Sequence, residues 1–170
     1  GVKGAMATAA LETAGVNKTN VNRLIFLPQT NINIWGKPYL KIDVVRSADM
    51  NRTPDMRTRA YLPNWCAEVE IRFATPNFST HSISSLVQNA GRFIGLGDFR
   101  QEKGRGSFGT FTIIGDDFSF DGVSYKDMWD ELMQEGRAVQ ELARDNPECA
   151  DQETAELMQF LQEERLRRAA

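Results

Sequence analysis

The feature that most constrains this chain is a glycine-rich stretch, residues 95–111, which holds five of the 13 glycines among basic side chains. Glycine has no Cβ, so the backbone can take a positive φ and can approach a ligand closely. Exposed N–H groups in such a loop can form an anion site, and neighbouring arginine and lysine side chains supply the charge that phosphates require. We interpret the stretch as a loop that grips a nucleic-acid backbone. The alternative is a glycine-rich hairpin turn whose charges keep it soluble.

Length and composition indicate a globular protein of 170 residues, of which 41% are hydrophobic and 25% are charged. No apolar run approaches the roughly 18–20 residues of a membrane helix, and the start does not resemble a signal peptide. The chain opens on Gly1 with its first methionine at position 6, a pattern typical of an excised chain, and the sequence leaves open whether residues precede Gly1. Cys66, Cys149 and the lone His81 cannot make a standard structural zinc site. We expect a cytoplasmic protein with no metal and no cofactor, in which a disulfide is not required.

The net charge of −3 is distributed unevenly along the chain. Residues 1–36 carry +2 and residues 37–109 carry +4, whereas residues 110–170 carry −9. A basic middle and an acidic tail predict two parts with different partners. The overall charge therefore does not exclude nucleic acid as a partner of the basic part.

The first part of the chain shows short strand patterns after 20 residues without clear periodicity. Two apolar runs, residues 23–27 and 32–35, flank Pro28 and three polar residues, a pattern typical of a hairpin or a bent meander. Residues 39–46 then alternate between apolar and polar side chains, which predicts a half-buried strand.

A second group of patterns surrounds a predicted helix. Residues 66–74 alternate most clearly and predict a strand, Ser79 is a candidate N-cap for a helix that ends near Asn89 or Arg92, and residues 107–114 predict another strand. Strands interleaved with a helix favour an α+β fold, with a ferredoxin-like or RRM-like antiparallel sheet and a helix on one face. The open face of such a sheet commonly binds a single strand of RNA or DNA.

Residues 46–61 interrupt the strand patterns with a long polar connection that contains Pro54. Four arginines stand in it: Arg46, Arg52, Arg57 and Arg59. Long connections inside a compact domain are usually functional or disordered. We interpret this basic insertion as a finger laid along a phosphate backbone, and the alternative is a solvated loop with internal Arg–Asp pairs.

The C-terminal part predicts two acidic helices. Ser124 caps the first, Pro147 follows its end, and the second covers about residues 151–167. We therefore divide the chain into a nucleic-acid-binding domain, residues 1–122, and an acidic helical hairpin, residues 123–170. The hairpin either folds back on the domain or docks on a neighbouring subunit, and its charge argues against direct contact with nucleic acid.

The order strand, helix, Gly-hydrophobic-Gly, basic stretch and Gly-x-Gly-x-x-Gly resembles the RAMP superfamily. Here the motif comprises Gly95-Leu96-Gly97, then Arg100, Lys103 and Arg105, then Gly104 to Gly109. The resemblance implies a ferredoxin-like, RNA-binding protein of the kind found in CRISPR effector complexes. Residues 97–109 are also similar to a GDFR-x-EKG-x-G-x-FG signature in uncharacterised proteins of tailed phages and prophages, which implies a phage origin.

Catalysis has little support in the sequence. Metal-free RNA cleavage commonly needs a histidine as general acid or base, and His81 stands early in a helix, outside the glycine-rich loop. The carboxylates show no metal-ligand spacing. We expect no enzymatic activity and no catalytic residues.

These patterns together predict a sequence-tolerant, multimeric protein that binds single-stranded RNA or DNA. Phosphate contacts are expected from the four arginines of the insertion and from Arg100, Lys103 and Arg105. Phe99 and Phe108 are candidate stacking residues, although the position of Phe108 on a predicted strand favours core packing. The candidate nucleic-acid-binding residues are Arg46, Arg52, Arg57, Arg59, Gly95, Gly97, Phe99, Arg100, Lys103, Gly104, Arg105, Gly106 and Gly109. The alternative is a phage structural or inhibitory protein that binds other proteins through its acidic helices.

Overall fold

A computed structural model describes residues 1–46, 50, 52–103, 106–115, 119–120 and 122–169. The helices are α1 (Val2–Ala9), α2 (Lys18–Leu24), α3 (Thr80–Asn89), α4 (Tyr125–Asp145) and α5 (Gln152–Ala169). The strands are β1 (Ile25–Phe26), β2 (Ile34–Trp35), β3 (Tyr39–Arg46), β4 (Pro54–Tyr61), β5 (Cys66–Ala67), β6 (Arg72–Phe73), β7 (Ser119–Phe120) and β8 (Val123–Ser124). The fold is α+β, with helices and small antiparallel sheets.

The described strands pair two by two, all antiparallel: β1 with β6, β2 with β5, β3 with β4, and β7 with β8. The β3–β4 hairpin is the longest, and its ladder runs from the Tyr39–Tyr61 pair to the Arg46–Pro54 pair. The prediction that residues 23–27 and 32–35 form a hairpin or a bent meander is wrong, because the two strands in this region do not pair with each other. Residues 23–24 belong to α2, and β1 and β2 find different partners.

Internal contacts divide the chain into two compact units. The first unit comprises Gly1–Ile32 and Glu68–Lys126, and the second comprises Asn33–Ala67 and Asp127–Ala170. The sequence division at residue 122 differs from this one, because residues 33–67 group with the C-terminal helices rather than with the rest of residues 1–122. The basic hairpin and the acidic helices are therefore parts of one unit.

The hydrophobic core lies in the first unit and is built around α1. Met6 is fully buried there with Val21, Ile25 and Leu86. Small alanine side chains at neighbouring positions of α1 are buried as well, which is consistent with the close packing of protein interiors. The sequence pattern of α1 is weak because alanine marks a buried face poorly.

The predicted helix after Ser79 is confirmed as α3. Ser79 Oγ accepts a hydrogen bond from the Ser82 N–H at 3.1 Å, and Ser82 Oγ accepts one from the Ser79 N–H at 2.8 Å. This reciprocal capping box satisfies two otherwise unpaired donors at the helix start. Ile83 and Leu86 form its buried face.

The continuous strand predicted for residues 66–74 is wrong, because β5 and β6 are separate and pair with different strands. The backbone between β5 and β6 is hydrogen-bonded to the Gln29 side chain instead of to a neighbouring strand. Its Nε2 donates to the Glu68 carbonyl at 3.2 Å, and its Oε1 accepts from the Glu70 N–H at 2.8 Å. A local alternation of apolar residues cannot reveal this long-range side-chain bridge.

Two further predictions are corrected. The described residues 107–114 contain no regular strand, because their backbone bonds to the glycine-rich turn instead. The long polar connection predicted for residues 46–61 contains strand β4, whose eight residues pair with β3 in full register. The polar sequence of β4 concealed this strand. Its charged side chains, Asp55, Arg57 and Arg59, lie on one face, and Met56 is the one large apolar side chain on the other, so the apolar alternation is weak.

The connection between α4 and α5 is attached to the edge of β3. The Leu40 N–H donates to the Glu148 carbonyl at 2.7 Å, and the Ala150 N–H donates to the Leu40 carbonyl at 2.8 Å. Lys37 Nζ lies 2.7 Å from Glu148 Oε1, and this hydrogen bond raises the pKa of Lys37. Both predicted C-terminal helices are confirmed, with Gly136 (φ 54°, ψ −140°) interrupting α4.

A second attachment joins β3 to the start of α5. Lys41 Nζ lies 2.6 Å from Asp151 Oδ2, and Asp151 Oδ1 accepts a bond from the Thr154 N–H at 2.8 Å. The hydrogen bond from Lys41 has the largest effect on the Asp151 carboxyl group, and together with the bonds from Thr154 it holds the pKa of Asp151 well below its usual range. Thr154 is fully buried, and its Oγ1 accepts a bond from the Ile42 N–H at 3.3 Å.

We expect Met6→Ala to lower the free energy of unfolding by about 2–5 kcal/mol, because it leaves a cavity in the core. Met50→Ala is the matched control: Met50 is fully exposed, so its truncation should change the free energy by less than about 0.5 kcal/mol. Urea denaturation followed by circular dichroism measures both values. Equal effects of the two substitutions would contradict the position of the core.

We expect Asp151→Asn to lower the melting temperature at pH 7. A carboxyl group whose pKa is lower in the folded state than in the unfolded state stabilises the folded state at any pH above its ordinary pKa, here 3.8. This stabilisation is lost as the pH falls. The difference between variant and wild type should therefore shrink below about pH 4. Melting curves between pH 7 and pH 2 test this, with Asp130→Asn on exposed α4 as the control. A difference independent of pH would exclude the Asp151 carboxylate as its source.

Candidate nucleic-acid interface

The glycine-rich loop is closed at its base by backbone hydrogen bonds. A single wide helical turn, Ala90–Ile94, extends α3 and ends at Gly95 with φ 74°. The Leu96 N–H then donates to the Gly109 carbonyl at 2.8 Å. The two glycine clusters of the motif are thus brought side by side at the base of one loop.

Two glycines are required by close approach within this loop. A Cβ on Gly109 would overlap the carbonyl oxygen of Leu96, and the residue has φ +74°. A Cβ on Gly106 would overlap the carbonyl oxygen of Phe99. These glycines are therefore explained by packing of the loop on itself, whereas the open space beside Gly97 remains accessible to a ligand.

Arg100 braces the turn between the glycine clusters. Its Nη1 donates to the Gly97 carbonyl at 3.0 Å, and its Nε and Nη2 donate to Glu102 Oε2 at 3.1 and 2.9 Å. The side chain is 27% exposed. Its charge is therefore partly neutralised, and its first role in this structure is to hold the turn.

Phe99 and Phe108 form an exposed aromatic pair on the loop. Their ring centroids lie 6.0 Å apart with an interplanar angle of 46°. Phe99 is 58% exposed and Phe108 is 44% exposed, so core packing, which the sequence favoured for Phe108, is wrong. Phe99 also has φ 57°, a backbone conformation that is rare for a bulky residue and is often found at functional sites.

The remaining basic residues of the loop are only partly described. Lys103 lies in the short helical turn Gln101–Lys103. The predicted contacts of Gly104 and Arg105 lie outside the described residues.

The four arginines of the predicted insertion lie on the β3–β4 hairpin. Arg57 Nε is 3.2 Å from Asp55 Oδ2, and Arg59 Nη1 is 2.8 Å from Asp43 Oδ2. Arg46 and Arg52 are exposed at the end of the ladder. Among the described residues, Arg57–Asp55 is an internal pair of the kind that the sequence left as an alternative, whereas Arg59 pairs with Asp43 of β3, outside the insertion.

The predicted site residues belong to two different units. Residues 95–109 belong to the first unit and residues 46–61 to the second. Within the first unit, the structure brings together Gly95, Gly97, Phe99, Arg100, Gly106 and Gly109. The sequence analysis did not identify Glu102 as the partner of Arg100. The spacing of two residues between opposite charges would have indicated this ion pair.

Other candidate chemistry is sparse in the parts of the chain that the structure describes. His81 is exposed in the first turn of α3. Among the described residues, no three His, Cys, Asp or Glu side chains are grouped so as to hold a metal ion. Cys66 and Cys149 are free, and burial raises the pKa of the Cys66 thiol.

Comparisons with protein-family models, with curated proteins and with solved structures gave no match to this chain. Across the described ranges, no helix has the length and apolar character needed to cross a membrane.

We expect Gly109→Ala to destabilise the loop by at least about 1–2 kcal/mol, because a side chain there is strained by the left-handed backbone and also overlaps Leu96. Hydrogen exchange of the Leu96 amide, which bonds to Gly109, reports this opening directly. Gly115→Ala is the control, since a Cβ there meets nothing within 4 Å. Equal Leu96 protection in both variants would contradict the closed loop.

Proposed function

We propose that this chain is a non-catalytic, sequence-tolerant protein that binds single-stranded RNA or DNA through its glycine-rich loop. The proposal includes a phage origin, kinship with the RAMP superfamily and a ferredoxin-like arrangement of residues 1–122. It also includes action in the cytoplasm of a bacterial host cell and assembly into multimers. No cofactor is assigned to it.

The observation that carries this proposal is the exposed Phe99–Phe108 pair. A nucleic-acid base can stack on an aromatic ring whatever its identity, so aromatic platforms bind single strands with little sequence preference. The platform is held in place by the Arg100 brace and by the backbone contacts of Gly106 and Gly109. A pre-ordered aromatic surface loses little conformational freedom on binding.

Phosphate contacts are the second component of the proposal. Arg46 and Arg52 are exposed and are better placed for this role than Arg59 and Arg100, which already bind carboxylates. Neutralising phosphates releases counterions, so the affinity should fall as the salt concentration rises.

We expect Phe99→Ala to weaken binding of single strands by roughly 5- to 150-fold, the equivalent of about 1–3 kcal/mol of stacking per base. The salt dependence should not change, because no charge is removed. Fluorescence anisotropy with labelled single-stranded RNA, single-stranded DNA and duplex, at about 50 and 200 mM salt, measures both quantities. A double Arg46→Ala, Arg52→Ala variant should instead reduce the slope of log affinity against log salt by about 1.4.

Phe160→Ala is the matched control, because Phe160 is 59% exposed on α5, outside the proposed site. It should bind like the wild type. Absence of binding to all three probes at micromolar protein would exclude the proposal, and equal losses in the Phe99 and Phe160 variants would exclude the loop as the site.

A second function is favoured by the surface of α4. This amphipathic helix contains no buried residue in its described part, although it carries apolar side chains such as Met133 and Leu142. A protein partner that covers these residues would make the chain a structural or inhibitory protein. Charge reversal at Glu141 and Asp145 should then abolish partner binding, whereas Phe99→Ala should not.

A further inference from the structure

The second unit covers few of its own apolar side chains. Within its described residues, Ile42 and Cys66 are the buried apolar side chains. Several large apolar side chains of the same unit are exposed instead: Val44, Met50, Met56, Met133, Leu142, Phe160 and Leu166. Apolar surface of this extent commonly marks a contact with another molecule.

One part of this surface is a groove on α4 with a volume of about 300 Å³. Its apolar lining consists of Val139, Leu142 and Ala143, and Lys37, Glu135, Asn146 and Glu148 line it as well. Glu148 is paired with Lys37, which leaves Glu135 as the carboxylate without a cation in the lining. Such a groove suits a segment that carries apolar side chains beside positive charges.

The end of the β3–β4 hairpin has this chemistry. Val44 and Met56 are register partners and are 60% and 50% exposed, and Met50 is fully exposed. Arg46 and Arg52 flank them. We call this set of five residues the hairpin tip.

A hairpin tip cannot reach the groove of its own chain. Lys37, two residues before β3, lines the groove and binds Glu148 there, so the groove lies at the base of the hairpin. The ladder from Tyr39 to Arg46 extends about 23 Å from that base, at roughly 3.3 Å per residue. A tip that enters the groove therefore comes from another copy of the chain.

We propose that the hairpin tip of one copy docks in the α4 groove of a second copy. The contact pairs apolar Val44, Met50 and Met56 with the apolar lining of the groove, and Arg46 and Arg52 with the Glu135 carboxylate, so docking and phosphate binding compete for the two arginines. It is heterologous, since tip and groove are different surfaces, and repetition leads to an open chain or a ring of copies. This inference does not rest on nucleic-acid binding.

Sedimentation velocity of the full chain, free of nucleic acid and measured from about 5 to 500 μM, tests the proposal. Wild type should associate in a concentration-dependent manner. A tip variant, Arg46→Glu with Arg52→Glu, and a groove variant, Glu135→Lys with Leu142→Lys, should each raise the dissociation constant at least about tenfold. Leu166→Lys is the control, since Leu166 is exposed on α5 outside both surfaces.

Mixing the two variants gives the decisive result. The groove variant keeps an intact tip and the tip variant keeps an intact groove, so together they should form a 1:1 dimer that grows no further. A wild type that stays monomeric, association that neither variant weakens, or a mixture that forms no dimer would each overturn the proposal. All the changed side chains are exposed, and circular dichroism melting curves verify folding, with Met50→Ser and Met56→Ser as a second tip variant.

Discussion

The proposed site depends on the contact of backbone with backbone inside the glycine-rich loop. Where Leu96 meets Gly109, the chain approaches itself more closely than any side chain would allow. This contact fixes the direction of the intervening residues, and the Arg100 brace fixes the turn. The loop that carries the exposed aromatic rings is therefore held in place by hydrogen bonds rather than by packing in the hydrophobic core. Glycine is needed here mainly for the integrity of the loop, and only secondarily for access of a ligand.

The sequence predicted elements whose determinants are local. Strand β3 shows strict alternation, α3 has a serine cap and an apolar face, and α5 follows a clear stop at Pro147, so all three were found near their true bounds. Strand β4 was missed because none of its residues is buried, so no apolar run marks it, and β5 and β6 were merged because Gln29 lies about 40 residues away in sequence.

For the site, the sequence indicated a candidate stretch but not how its residues interact. Among the described residues of 95–109, the glycine content agrees with a chain that packs backbone against backbone. Arg100 and Arg59 are paired with carboxylates. The Arg100–Glu102 pair depends on the conformation of the turn, and the Arg59–Asp43 pair depends on the register of β3 and β4, and composition determines neither. Phe108 is likewise exposed because it lies in the loop and not on the strand that the sequence predicted.

The core of the first unit also has a consequence for biosynthesis. Met6 and Leu86 belong to one buried cluster, yet they are 80 positions apart, and residues of the other unit are made between them. At about 5–20 residues per second, α1 waits roughly 4–16 s on the ribosome before its partner helix is synthesised. During that interval α1 can pack against Val21 and Ile25 of its native cluster, but the apolar face of α3 is missing. We therefore expect this short alanine-rich segment, rather than the glycine-rich loop, to be the part of the chain that ribosome-associated chaperones engage.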